Sequence, residues 1–231
     1  MATDILAEPS LSTGDYLTRD EFLRIWEQLP DIKRAELIGG IVYVPSPQRK
    51  EHGTMDFRVS SWLGYYFAYT PGCEGGSNTT SLIGKDCPQP DGYLAILPEC
   101  GGASWGEKYV EGSPELFAEV SFSSVSIDLH EKLDLYEEAK VQEYLVVLVK
   151  KREIRWHRLI RGKYNRLAPD TDGVFRSHVF PGLWLDSDAL FKNDLARVLA
   201  TLNDGIASDE HQKFVQELAK RKKKSKPGAE V

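Results

Sequence analysis

The chain has 231 residues, 41% hydrophobic and 28% charged, with five Trp, ten Tyr and nine Phe, enough to bury one substantial core and to exclude wholesale disorder. Its net charge of −6 excludes a protein that coats nucleic acid with its whole surface, since phosphate neutralisation by Lys and Arg supplies most non-specific affinity; a local basic rim around an acidic site is not excluded. No apolar run approaches the ~20 residues that span a bilayer. Met1 to Tyr16 lacks the basic start and apolar core of a secretory signal, and Cys73, Cys87 and Cys100 have no CxxC spacing, so the expected setting is a reducing cytoplasm without disulfide framework or zinc site.

Residues 1–17 mix Pro, Ser, Thr, Gly and Asp without periodicity and are expected to form a loose lead-in. Thr18-Arg-Asp-Glu21 reads as a capping box, followed at helical spacing by Phe22, Ile25, Trp26 and Leu29, which predicts a helix over 19–28. Ala35-Glu-Leu-Ile38 and Ile41-Val-Tyr-Val44 flank Gly39-Gly40 and predict a β-hairpin. A longer helix is expected over about 52–69, with Met55, Val59, Trp62, Leu63, Tyr66 and Phe67 on one stripe. Short strands follow at 79–83 and 92–96, then a buried strand at 116–120. Asp128-Leu-His-Glu131 predicts the cap of a helix carrying Leu129, Leu133 and Tyr136.

Tyr144 to Val149 is an apolar, β-branched run expected as a strand buried on both faces. The strand–helix–strand passage from Leu116 to Val149 implies a right-handed parallel crossover. A second hairpin spans 153–160 and 163–167 across Arg161-Gly162, and helices are expected at about 188–202 and 209–224, before a basic tail at Lys220 to Lys226. The division expected is a lead-in (1–17), an α/β domain (18–203), and a C-terminal helix with basic tail (204–231).

Three carboxylates stand out because an acid within an apolar strand is costly unless paired or bound to a cation. Glu119 lies in Leu116-Phe-Ala-Glu-Val120, Glu36 in Ala35-Glu-Leu-Ile38, and Asp91 follows Pro90 and opens Gly92-Tyr-Leu-Ala-Ile96. Hard oxygen ligands of this kind suit Mg2+ or Mn2+. Each has a bland explanation: Glu36 as a solvent-facing hairpin residue beside Lys33 or Arg34, and Asp91 as a turn residue.

At these residues the chain resembles the Uma family of restriction endonucleases, in the PD-(D/E)xK superfamily. The carrying segments are Ala35-Glu-Leu-Ile-Gly-Gly-Ile-Val42, Glu51-His-Gly53, Gln89-Pro-Asp91, Glu119-Val-Ser121, Lys132 to Tyr136, Val141-Gln-Glu-Tyr144 and Phe180-Pro-Gly-Leu-Trp-Leu185. The resemblance runs from about Thr18 to about Leu218. It implies an α/β restriction-endonuclease-like core: a mixed β-sheet flanked by helices, with an N-terminal β-hairpin and C-terminal helices.

The resemblance further implies that Asp91 and Glu119 hold the metal, Mg2+ with Mn2+ as an alternative, that Glu36 completes the acidic cluster, and that DNA is cut to leave 5′-phosphate and 3′-hydroxyl ends. The superfamily's lysine two residues after the glutamate is Ser121 here; a lysine on the following helix takes its place in the family, and Lys132 matches it. Lys132 and Tyr136 are four apart and face the same way on a helix. The bland alternative for Lys132 is an exposed lysine paired with Asp128.

His52 and Tyr136 are the expected substrate contacts, against the readings of a helix cap and a core aromatic. Three residues depart from the family pattern: Gly92 stands for a branched residue, Phe122 for a proline within Ser121-Phe-Ser123, and Lys140 for a glycine. A homodimer is the economical arrangement for a two-strand cut.

The competing classes are a catalytically inactive nuclease-fold protein that binds nucleic acid or a protein partner, favoured by the displaced lysine and acidic charge, and a carboxylate–metal hydrolase of small phosphoesters. No Gly-x-Ser-x-Gly elbow and no Rossmann or P-loop glycine pattern occurs.

Overall fold

The computed structural model describes residues 9–102 and 106–225; most of the expected lead-in is therefore covered only from residue 9, and Lys226 lies outside the described residues. Helix α1 (Arg19–Trp26) opens on the reciprocal cap its sequence prescribes: the Thr18 amide donates to Glu21 Oε2 at 2.9 Å and the Glu21 amide to Thr18 Oγ1 at 3.4 Å. Strands β1 (Glu36–Ile38) and β2 (Ile41–Tyr43) turn through Gly39 and Gly40 at φ +62° and +81°, the tight-hairpin geometry that glycine permits. Helix α2 (Lys50–Ala68) follows.

The main sheet is built from β3 (Cys73–Gly76), β5 (Gly92–Ile96), β7 (Leu116–Ser121), β8 (Glu143–Leu148), β9 (Glu153–Ile160) and β10 (Lys163–Leu167), in the order β10-β9-β8-β7-β5-β3. Within this sheet, among the described residues, only β7 and β8 run parallel, in register from Leu116↔Glu143 to Ser121↔Leu148, and the chain crosses between them through α3 (Val125–Leu129) and α4 (Glu131–Glu138). Outside this sheet lie the two-residue pair β4 (Ser81–Leu82) and β6 (Val110–Glu111), and the pair β11 (Val174–Arg176) and β12 (Trp184–Asp186). Helices α5 (Ser187–Phe191), α6 (Leu195–Ile206) and α7 (Asp209–Lys224) complete the chain.

Period-two alternation sorts the strand residues into two cores. Leu116, Ala118, Val120, Leu145, Val147, Ile154 and Trp156 face the α2 side, where Met55, Val59, Trp62 and Tyr66 meet Leu183, Leu202, Phe214 and Leu218. Phe117, Val146 and Leu148 face the other side, with Tyr136, Val141 and Tyr144. Glu119 shares its face with Phe117, so the strand aims it beneath α4.

Several elements differ from the sequence expectation. Strand β3 was not expected, because glycine disfavours strands; it forms by pairing antiparallel with β5, and glycine is required at 76 because a Cβ there would stand 2.5 Å from the Tyr93 ring. The strand expected over 79–83 shrinks to Ser81–Leu82. The helix expected over 188–202 breaks at Asn193 (φ +64°), and Asp194 starts a new helix by accepting from the Arg197 amide at 3.0 Å.

Asp128 does not cap the helix that bears Lys132. It lies inside α3, which begins at Val125, and the chain bends at His130 before α4. Lys140 holds the left-handed conformation after α4 at φ +60°, a backbone state in which a glycine would be unstrained.

Glu143 in β8 is fully buried, and burial raises its pKa against the donors around it. It accepts from Trp156 Nε1 (3.1 Å), Ser177 Oγ (2.7 Å) and the His178 amide (2.7 Å), tying the segment after β11 to the sheet. Glu143→Ala strands these donors, so urea unfolding should show a loss of about 3 kcal/mol or more. A loss below about 1 kcal/mol would mean that the segment is held by its apolar contacts instead.

Candidate active site

Asp91, Glu119, Glu36, His52 and Lys132 line one cavity of about 490 Å³, and Asp128 joins them. It opens beside the ends of β5 and β7, between the β1–β2 hairpin, the start of α2 and the α3–α4 bend. The Asp91 carboxylate is anchored across the sheet, where Oδ2 accepts from the Val120 amide at 2.8 Å. Lys132 is 3% exposed, which removes the exposed-lysine alternative. Its Nζ lies 2.8 Å from Glu119 Oε1, 2.8 Å from Glu36 Oε1 and 3.9 Å from Asp128 Oδ1. Glu36 also accepts from the Gln89 amide at 2.6 Å, so the hairpin is fastened to the segment that carries Asp91.

His52, in the first turn of α2, brings Nε2 to 3.9 Å from Asp91 Oδ2, while its Nδ1 is buried without a hydrogen bond. Tyr136 is fully buried between Phe117 and Tyr144 and does not line the cavity; its hydroxyl donates to Glu119 Oε1 at 3.4 Å. The structure thus brings Asp91, Glu119, Glu36, Lys132 and His52 to one opening and sets Tyr136 behind it.

The electrostatics follow from four carboxylates around one amine. Burial raises the Asp91 pKa to about 6, with the nearby Asp56 adding to the rise and the Val120 amide, His52 and Lys132 opposing it. Burial likewise pushes Glu119 well up, against the pull of Lys132. For Lys132 burial works against the charge, but Glu119 and Glu36 outweigh it and hold the ammonium well above the usual lysine range.

Among the described residues no three His, Cys, Asp or Glu side chains form a ready-made metal cage. The donor chemistry nevertheless fits a hard divalent cation. The hydrogen bonds engage Asp91 Oδ2 and Glu119 Oε1, and no donor among the described residues meets Asp91 Oδ1 or Glu119 Oε2. Mg2+ characteristically takes one or two carboxylates and completes its shell with water and substrate phosphate.

A family model described as "Putative restriction endonuclease", Uma2, matches residues 19–188. The chain belongs to the Uma2 family. A crystal structure of "a putative nuclease belonging to DUF820" from Anabaena variabilis ATCC 29413 shares the fold with a TM-score of 0.59 at 15% identity, covering 76% of this chain and 98% of that one. No curated protein matches the chain. In this Uma2 member Ser121 is buried with an unpartnered hydroxyl, and the amine beside Glu119 comes from α4.

Sequence reasoning missed Asp128 as a buried member of the cluster, as well as Asp56, whose pKa burial raises and whose charge acts on Asp91. Each stands four residues before or after a residue that was singled out, Lys132 or His52. That helical spacing was the available signal. Among the described residues no helix is long and apolar enough to cross a membrane.

Proposed function

We propose that the chain is a divalent-cation-dependent endonuclease that hydrolyses DNA phosphodiester bonds, with Mg2+ as the working ion and Mn2+ as a substitute. The observation that carries this reading is the pair of carboxylate oxygens, Asp91 Oδ1 and Glu119 Oε2, left without protein donors in a cavity that also holds a buried ammonium. Asp91 and Glu119 would hold the ion. When bound, such an ion lowers the pKa of a water and polarises a phosphoryl oxygen.

The remaining residues have separable roles. Lys132, kept protonated by two carboxylates, is no base; it orients the attacking water and offsets negative charge building on the phosphoryl group. Glu36 holds the lysine from the side opposite Glu119 and so fixes its direction. Tyr136 steadies Glu119 from behind and acts as a positioning residue. His52, beside Asp91 at the cavity wall, meets the substrate phosphate. Cleavage in line would leave 5′-phosphate and 3′-hydroxyl ends. The same reading takes the working unit as a cytoplasmic homodimer, with the nuclease-like domain in residues 18–203 and an added helix and tail in 204–231.

A second reading, a nuclease-fold protein that binds DNA or a partner without cutting, is favoured by the double engagement of Lys132 with Glu119 and Glu36. Supercoiled plasmid incubated with Mg2+ or Mn2+ separates the two. The expected result is nicking and linearisation by the native chain, none with chelator, and a loss of at least about a hundredfold for Asp91→Ala. Cleavage untouched by Asp91→Ala would sink the proposed site, and cation binding with no cleavage of any DNA form would favour the second reading.

A further inference from the structure

An acidic chain that acts on DNA must gather positive charge where the backbone enters, and one ring beside the site does this. Phe122, directly after β7, lines the same cavity as Asp91 and Glu119, and so does Arg49, the residue before α2. The Arg49 guanidinium lies 5.7 Å from the Phe122 ring centroid, and Lys150 Nζ, in the turn after β8, lies 4.5 Å from it. Both cations are exposed, and neither pairs with a carboxylate among the described residues.

The arrangement follows from the fold. Strands β7 and β8 are the parallel pair, so their ends deliver Phe122 and Lys150 to the same edge of the sheet, and α2 begins above it with Arg49. Two cations drawn to one ring repel each other; the ring's negative face offsets part of that repulsion, and an anion held by them would offset more. An aliphatic residue at position 122 would offer no π face to either cation.

We infer that Arg49 and Lys150, gathered on Phe122, form a clamp for a backbone phosphate of DNA at the mouth of the cavity, next to the phosphate being cut. The clamp rests on the DNA-directed reading of the site. Guanidinium and ammonium differ in their parts: Arg49 offers a planar fork to two phosphate oxygens, and Lys150 a point charge.

The test is binding of a fluorescent double-stranded oligonucleotide by anisotropy, across a salt series, with Ca2+ replacing Mg2+. The native chain is compared with Arg49→Gln/Lys150→Gln and with Phe122→Leu, each checked for native circular dichroism and melting. The double variant should bind about tenfold or more weakly, and its salt slope should fall by about 1 for each cation removed. Phe122→Leu keeps both charges, so it should weaken binding severalfold while leaving the slope near the native value.

Native affinity and slope in the double variant would overturn the clamp and leave the proposed nuclease intact. A weakened double variant in a protein that cuts no plasmid with Mg2+ would support the clamp while removing the catalytic reading. A native chain that binds no DNA would overturn both.

Discussion

Lys132→Met is expected to lower stability by about 3–5 kcal/mol at neutral pH, because it leaves Glu119 as a buried carboxylate without its cation and the half-buried Glu36 without the same partner. For a chain of this length that is a fall in Tm of roughly 10 °C. The loss should depend on pH in a definite direction. Without the lysine, burial holds the Glu119 carboxyl above its ordinary range in the folded state, so the fold binds more protons than the unfolded chain and stability falls as pH rises above about 4.3.

The variant is therefore nearest to native stability in mild acid and furthest from it near pH 8. The native lysine works the other way: its raised pKa means its contribution is fully present below about 10.4 and is lost only as pH rises through the folded value. Adding Glu119→Gln to Lys132→Met should recover much of the stability and none of the cleavage. Thermal melts from pH 5 to pH 8 decide this, and a flat difference across that range would show that Lys132 stabilises by packing alone.

Asp91→Asn should have the opposite effect on stability and should also lose activity. Burial raises Asp91 to about 6 against an ordinary 3.8, so between these values the native fold loses stability as pH rises, and above about 6 that loss is complete. An asparagine carries no charge to desolvate and still offers an oxygen to the Val120 amide. At pH 7.5 without divalent cation the variant is thus expected to melt at or above the native temperature.

Mg2+ reverses the order. At a tenfold excess over its dissociation constant it should stabilise the native chain by about 1.4 kcal/mol, about 3 °C in Tm, with the gain appearing as pH rises through about 6. Asp91→Asn should show no such gain and should lose plasmid cleavage by at least about a hundredfold. Equal cation-induced shifts in both proteins would move the ion away from Asp91.

These two experiments probe different halves of the site. The first asks whether the amine is held as an electrostatic partner of the acids, and the second whether the acids are left free for an ion. A protein whose Lys132 variant behaves as expected but whose Asp91 variant does not would retain the buried cluster and lose the metal reading.

Local chemistry determined much of this protein. The Thr18/Glu21 cap, the Gly39-Gly40 turn and the alternation along β7 and β8 are written in adjacent residues, because capping, left-handed backbone and pleat depend on neighbours within a few positions. The cost of an acid in an apolar strand marked Asp91, Glu119 and Glu36 before any coordinates.

Only the tertiary structure decided how they meet. The Asp91 carboxylate is oriented by an amide 29 residues away, and Glu36 is fastened to a segment 53 residues away. Likewise, β3 is a strand because it pairs with β5, where Gly76 leaves room for the Tyr93 ring, and Tyr136 lies behind the cavity because two aromatic rings enclose it. The Arg49–Phe122–Lys150 cluster joins three elements with no common local pattern. The sheet brings such groups together through hydrogen bonds and packing between distant segments, and those contacts leave no periodicity in the chain itself.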